Sequence, residues 1–161
     1  MRFITPLLLA VLATTSLAAC AKYNGEDRGK PVMPAQGNAK WAAECAGCHM
    51  AYPPGLLPAA SWQKVMNSLD KHFGTDASLP AADAKEITDY LLKYASNRWT
   101  SSAAPLRITE GEWFKAKHYD KNEIAPAVWK RESVKSPGNC MACHNAADKG
   151  NFDEKSIRIP Q

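Results

Sequence analysis

Histidine is scarce in this 161-residue chain, with four residues against five cysteines, and aromatic side chains make up only 9%. Any site that needs imidazole must draw on His49, His72, His118 and His144. Blocks of Lys and Arg are missing as well. The formal charge of +4 is spread along the sequence, which excludes the basic arm of a nucleic-acid binder and a polybasic membrane patch. Past residue 20 no apolar run approaches the roughly 18 residues that argue for a membrane span. The strand-then-helix context of a thioredoxin-like site is absent, and the length leaves no room for a large multidomain enzyme.

What is present begins with an export signal over residues 1–20. Arg2 supplies a positive start, Phe3 to Ala19 carry no charge and are mostly apolar, and small residues follow. The string Leu17-Ala18-Ala19-Cys20 resembles a bacterial lipoprotein box, whereas Ala19-Cys20-Ala21 suits an ordinary signal peptidase. The lipoprotein reading is preferred because it employs a cysteine otherwise left over. The expected compartment is the periplasm, with membrane contact only through a lipid on Cys20.

Export places the other thiols in an oxidising setting, where unpaired cysteines need an account. They form two matching runs, Cys45-Ala46-Gly47-Cys48-His49 and Cys140-Met141-Ala142-Cys143-His144. Two thiols at this spacing reach the two vinyl groups of one porphyrin, and the next residue turns an imidazole under the iron. The alternatives are a disulfide in each pair, a thioredoxin-like pair, or one zinc site made from both. Zinc ribbons separate their pairs by roughly 15–20 residues, and here about 90 intervene. Two covalently attached haem c groups are therefore expected, on Cys45 with Cys48 and on Cys140 with Cys143, with His49 and His144 as proximal iron ligands.

His72 and His118 remain for the opposite faces. Apolar spacing predicts a helix from Trp62 to Phe73, capped by Ser61 and closed by Gly74, with His72 at the edge of the stripe Trp62, Val65, Met66, Leu69 and Phe73. Met66 competes with His72 as the ligand, while the stretch from Gly74 to Ala82 contains no methionine. His118 follows Thr109-Glu110-Gly111-Glu112, a capping-box pattern that predicts a short helix from Glu110 to His118. An open iron or a lysine ligand stays as its alternative.

The rest of the chain reads as all-α. Residues 21–37 form an extended polar lead, and a helix from Asn38 carries Trp41 into the first motif. A further helix is predicted from Ala81 to Asn97 behind Pro80, and Ser101-Ser102-Ala103-Ala104-Pro105 has linker composition. Ser136-Pro137 is expected to cap a second motif helix that Gly150 stops. This gives a first haem domain over 38–100 and a second over 101–161, the latter too short to build a core without its haem. Lys115, Lys117, Lys121, Lys130, Arg131 and Lys135 make the densest basic grouping, read as a solvated face.

Longer strings carry a resemblance. Residues Cys45 to Pro58 (CAGCHMAYPPGLLP), His72-Phe73-Gly74, Trp129-Lys130-Arg131, and Asn139 to His144 with Gly150 and Phe152 resemble the bacterial dihaem cytochromes c. The resemblance implies a class I cytochrome c-like N-terminal domain and a small, haem-organised C-terminal one. It further implies two histidines on each iron, His49 with His72 and His144 with His118. The implied role is electron transfer with redox protein partners, among them a small oxygen-binding haem protein and membrane cytochromes b. Iron closed on both faces can only change oxidation state, and paired histidines favour low potentials. The rival is a small peroxidase-like enzyme with one open iron, which would need a larger frame and acid/base residues. The expectation is thus no enzyme and no catalytic residue.

Overall fold

Asn38 opens the first helix, its side chain accepting the backbone N–H of Trp41 at 2.7 Å. The computed structural model describes residues 31–97, 104–119 and 124–161. The signal segment with Cys20, the lead before residue 31, linker residues 101–103 and Lys121 lie outside them. Helix α1 spans Ala39–Cys45, so the first cysteine closes the helix and the rest of its motif continues as a turn.

Helix α2 runs over Ala59–Met66, earlier and shorter than the periodicity predicts. Pro58 precedes it in extended conformation, and Ser61 is a fully buried residue of its first turn, not its cap. The early stop has a local cause. Ser68 Oγ donates to the Lys64 carbonyl at 2.9 Å, offering the backbone an alternative to the helical ladder. Leu69–Lys71 then forms a 3-10 turn, and Phe73 and Gly74 take left-handed φ values of 49° and 96° that swing the chain away.

Helix α3 covers Ala81–Tyr94 behind Pro80, three residues short of the expected end. Ala95 turns extended there, and Ser96 N–H donates to the Leu57 carbonyl at 2.9 Å. Helix α4 covers Glu112–His118 and starts after Gly111. The capping box does not form, because Thr109 sits inside a 3-10 turn at Ile108–Glu110. The second motif is likewise only a 3-10 turn, Cys140–Ala142, headed by Asn139 and not by Ser136. Gly150 does stop its element, closing the turn Ala147–Lys149 at φ 76°. Among the described residues there are isolated bridges but no strands.

The apolar core belongs to the first half. Trp41, Leu57, Trp62, Ile87, Tyr90 and Leu91 pack where α1 and α2 meet α3, with Ile87 and Leu91 at most 1% exposed. Trp62 Nε1 donates to the Pro54 carbonyl at 2.7 Å, tying α2 to the Pro-rich loop after the first motif. Among the described residues of the second half, Phe114, Val128, Val134 and Ala147 are the buried apolar side chains. Tyr52 joins the halves, its hydroxyl donating to the Gly138 carbonyl at 2.8 Å. The Val32 carbonyl accepts from Gly55 N–H at 2.9 Å, so close that a side chain at Gly55 would strike the backbone of Pro31 and Val32.

Candidate metal centres

Each motif histidine faces a second imidazole. The His49 and His72 ring centroids lie 6.2 Å apart at an interplanar angle of 29°. His144 and His118 lie 6.3 Å apart at 72°. Two imidazoles on opposite sides of one metal ion, with bonds of about 2 Å, put their ring centroids about 6 Å apart. All four sequence-predicted histidines are thus brought together as two pairs. Met66 packs instead against the hydrophobic core of the first half.

Local structure sets the tautomers. His49 Nδ1 sits 2.7 Å from the Met50 carbonyl, and His118 Nδ1 2.8 Å from the Phe114 carbonyl one helical turn earlier. A carbonyl only accepts, so both Nδ1 atoms carry hydrogen and both Nε2 atoms keep a lone pair for a metal. Tyr52 stacks on His49 at 4.7 Å, and Phe114 stacks on His118 at 4.0 Å and 14°. Burial lowers the pKa of His72, with the charges of His49 and Arg107 adding to it, and burial with His118 lowers that of His144. Both shifts favour the neutral, ligating form.

At the second pair the walls enclose a cavity of about 480 Å³, including Phe114, His118, Trp129, Cys140, Cys143 and His144. That volume lies within the roughly 300–1,000 Å³ of cofactor sites. Val32 and Leu56 reach into the wall from the first half. The Trp129 indole N–H is buried there without a protein partner. An orphaned donor of this kind costs about 1–3 kcal/mol, so the wall suits a guest with an acceptor, such as a haem propionate.

The thiols fit attachment better than redox exchange. Burial pushes Cys45 and Cys140 up to about 11 and also raises Cys143. A nucleophilic thioredoxin-like pair needs the opposite shift. The four thiols are not joined in disulfides. Among the described residues no three His, Cys, Asp or Glu side chains converge as a metal cluster, so the zinc alternative gains no support. Sequence reasoning did not foresee Tyr52 on His49 or the orphaned Trp129 indole, whereas the short helix through Trp113 and Phe114 was expected to bring aromatic cover to His118. Tyr52 and Trp129 stood only within the strings that carry the resemblance, Cys45 to Pro58 and Trp129-Lys130-Arg131.

Comparison with known proteins agrees with this geometry. The family model for dihaem cytochrome c matches residues 41–152. A dihaem cytochrome c from Rhodobacter sphaeroides is 41% identical, with a TM-score of 0.66 over 71% of this chain and 96% of that one. A crystal structure of DHC purified from the same organism is 44% identical, with a TM-score of 0.64 over 73% of this chain and 98% of that one. A dihaem cytochrome c from Shewanella baltica is 40% identical, with a TM-score of 0.67 over 76% and 93%. No curated protein matches the chain.

Proposed function

Because the chain belongs to the dihaem cytochrome c family and so carries two covalently bound c-type haems, we propose that it is a periplasmic electron carrier whose irons are each closed by two histidines. His49 and His72 would hold one iron, His144 and His118 the other. The observation that carries this reading is the pair of imidazole separations, 6.2 and 6.3 Å, each matching one metal held between two rings. The thioether partners are Cys45 with Cys48 and Cys140 with Cys143. When bound, each haem supplies a one-electron couple.

The residues around the rings keep the faces closed. Phe114 holds His118 by stacking and by its carbonyl, so the distal imidazole of the second site does not readily swing aside. This argues against the enzyme reading, since a peroxidase-like reaction needs a vacant position for its substrate. Histidine pairs lack the potential-raising effect of a methionine ligand, which supports low potentials at both sites. The apolar cluster over α1 to α3 supports a class I cytochrome c-like first domain over 38–100. The aromatic-walled cavity supports a second domain, 101–161, organised around its haem. Partners would be redox proteins, such as a small oxygen-binding haem protein or a membrane cytochrome b.

Removing one ligand at a time tests the reading. His118→Ala should turn about half of the ferric haem high-spin and raise its potential, because ferric iron loses a donor that stabilised it. His72→Ala should do the same to the other half. Low-spin spectra of wild-type form in both variants would contradict the assignment.

A further inference from the structure

The two pairs differ in one respect that the proposed function does not use: the rings of His49 and His72 are close to parallel, at 29°, whereas those of His118 and His144 are crossed at 72°. Each orientation has its own fixings. At the first site the Met50 carbonyl and the Tyr52 ring hold His49. At the second, the Phe114 ring lies flat on His118 at 4.0 Å while the Phe114 carbonyl takes its Nδ1 hydrogen. Phe114 thus holds the plane of His118 through two contacts, with the Trp113 and Trp129 rings farther off at 6.5 and 6.0 Å.

Ring plane matters to iron. An imidazole donates π density perpendicular to its own plane, so parallel rings act on the same iron d orbital and split it from its partner. Crossed rings load both orbitals almost equally, leave them close in energy, and stabilise ferric iron less.

One further feature pushes the second site the same way. Of the four histidines only His49, at the first site, is exposed, while His72, His118 and His144 are half-buried, and burial disfavours the more highly charged ferric state.

Resting on the paired-histidine reading above, we propose that the ligand geometry makes the second site magnetically distinct and the more easily reduced of the two. Phe114 is its positioning residue: it touches no reacting atom and acts by fixing the plane of His118.

Low-temperature electron paramagnetic resonance on the oxidised holoprotein, followed through a potentiometric reduction, tests this. The expected spectrum combines a resolved three-line rhombic signal from the first site with a single large-g feature from the second. The large-g feature should disappear first as the potential is lowered. Phe114→Leu should convert that feature to a rhombic one and lower the midpoint of the second site, leaving the first signal unchanged. A merely structural role for Phe114 would broaden the signals without moving the g values. Should the variant fold poorly, the wild-type titration decides alone. Two rhombic signals in the wild type, or loss of the rhombic signal first, would overturn the proposal. A high-spin ferric signal or a near-infrared methionine-to-iron band would instead sink the paired-histidine reading, and this inference with it.

Discussion

At the residue scale, burial governs the protons of two of the proposed ligands. His72 and His144 are both held below the ordinary histidine value of about 6.5. Below that pH the unfolded chain binds protons at these positions that the folded chain resists, so stability rises with pH across the window under 6.5 and falls on acidification through it. Iron works in the same direction, since a ligating imidazole must be neutral. The thermal midpoint of the holoprotein should therefore be nearly flat between pH 7 and 8 and drop progressively below 6.5. Melts over that range, followed in the Soret band, check this, and a rise on acidification would contradict it. The two attachment motifs were legible from spacing alone, because attachment chemistry dictates Cys-x-x-Cys-His. The ring planes were not, since they depend on Phe114, Tyr52 and carbonyl groups that only the folded backbone brings near.

At the scale of elements, the sequence located α1 to α4 and several of their ends, such as the Asn38 cap and the Ala81 start, but it misplaced the bounds of α2 and expected a second motif helix where only 3-10 turns form. The stripe through Trp62, Val65 and Met66 is real, yet Ser68 diverts the backbone and the remaining turn is 3-10. The Thr109 capping box was a correct pattern in the wrong place, because the chain spent those residues on another turn. The buried faces were read more surely, since burial follows the 3.6 period whatever the helix ends do. Leu91, in the last turn of α3, is 1% exposed in the core shared with α1 and α2. Leu91→Ala should cost about 2–5 kcal/mol through lost burial and a residual cavity, read by denaturant unfolding of the holoprotein. The exposed Lys85→Ala on the same helix should change stability by less than about 0.5 kcal/mol. Equal losses in both would contradict this account of the core.

At the scale of the whole molecule, contacts between the halves link the two metal centres. Tyr52 stacks on His49 and hydrogen-bonds the Gly138 carbonyl just ahead of Cys140, while Leu56 and Val32 help wall the second cavity. No sequence pattern announced these ties, because each joins residues far apart in the chain. The expected lipid on Cys20 also belongs to this scale, since it would hold the whole carrier at a membrane. Cys20→Ser should then move the protein from the membrane fraction to the soluble periplasm, and unchanged fractionation would favour ordinary signal cleavage. The central claim is that both irons are closed by histidine pairs and so exchange only electrons. Carbon monoxide added to the fully reduced wild-type protein tests it most directly. The account predicts almost no change in the Soret band, whereas stoichiometric binding at one haem would contradict it and point to a ligand-binding or catalytic site.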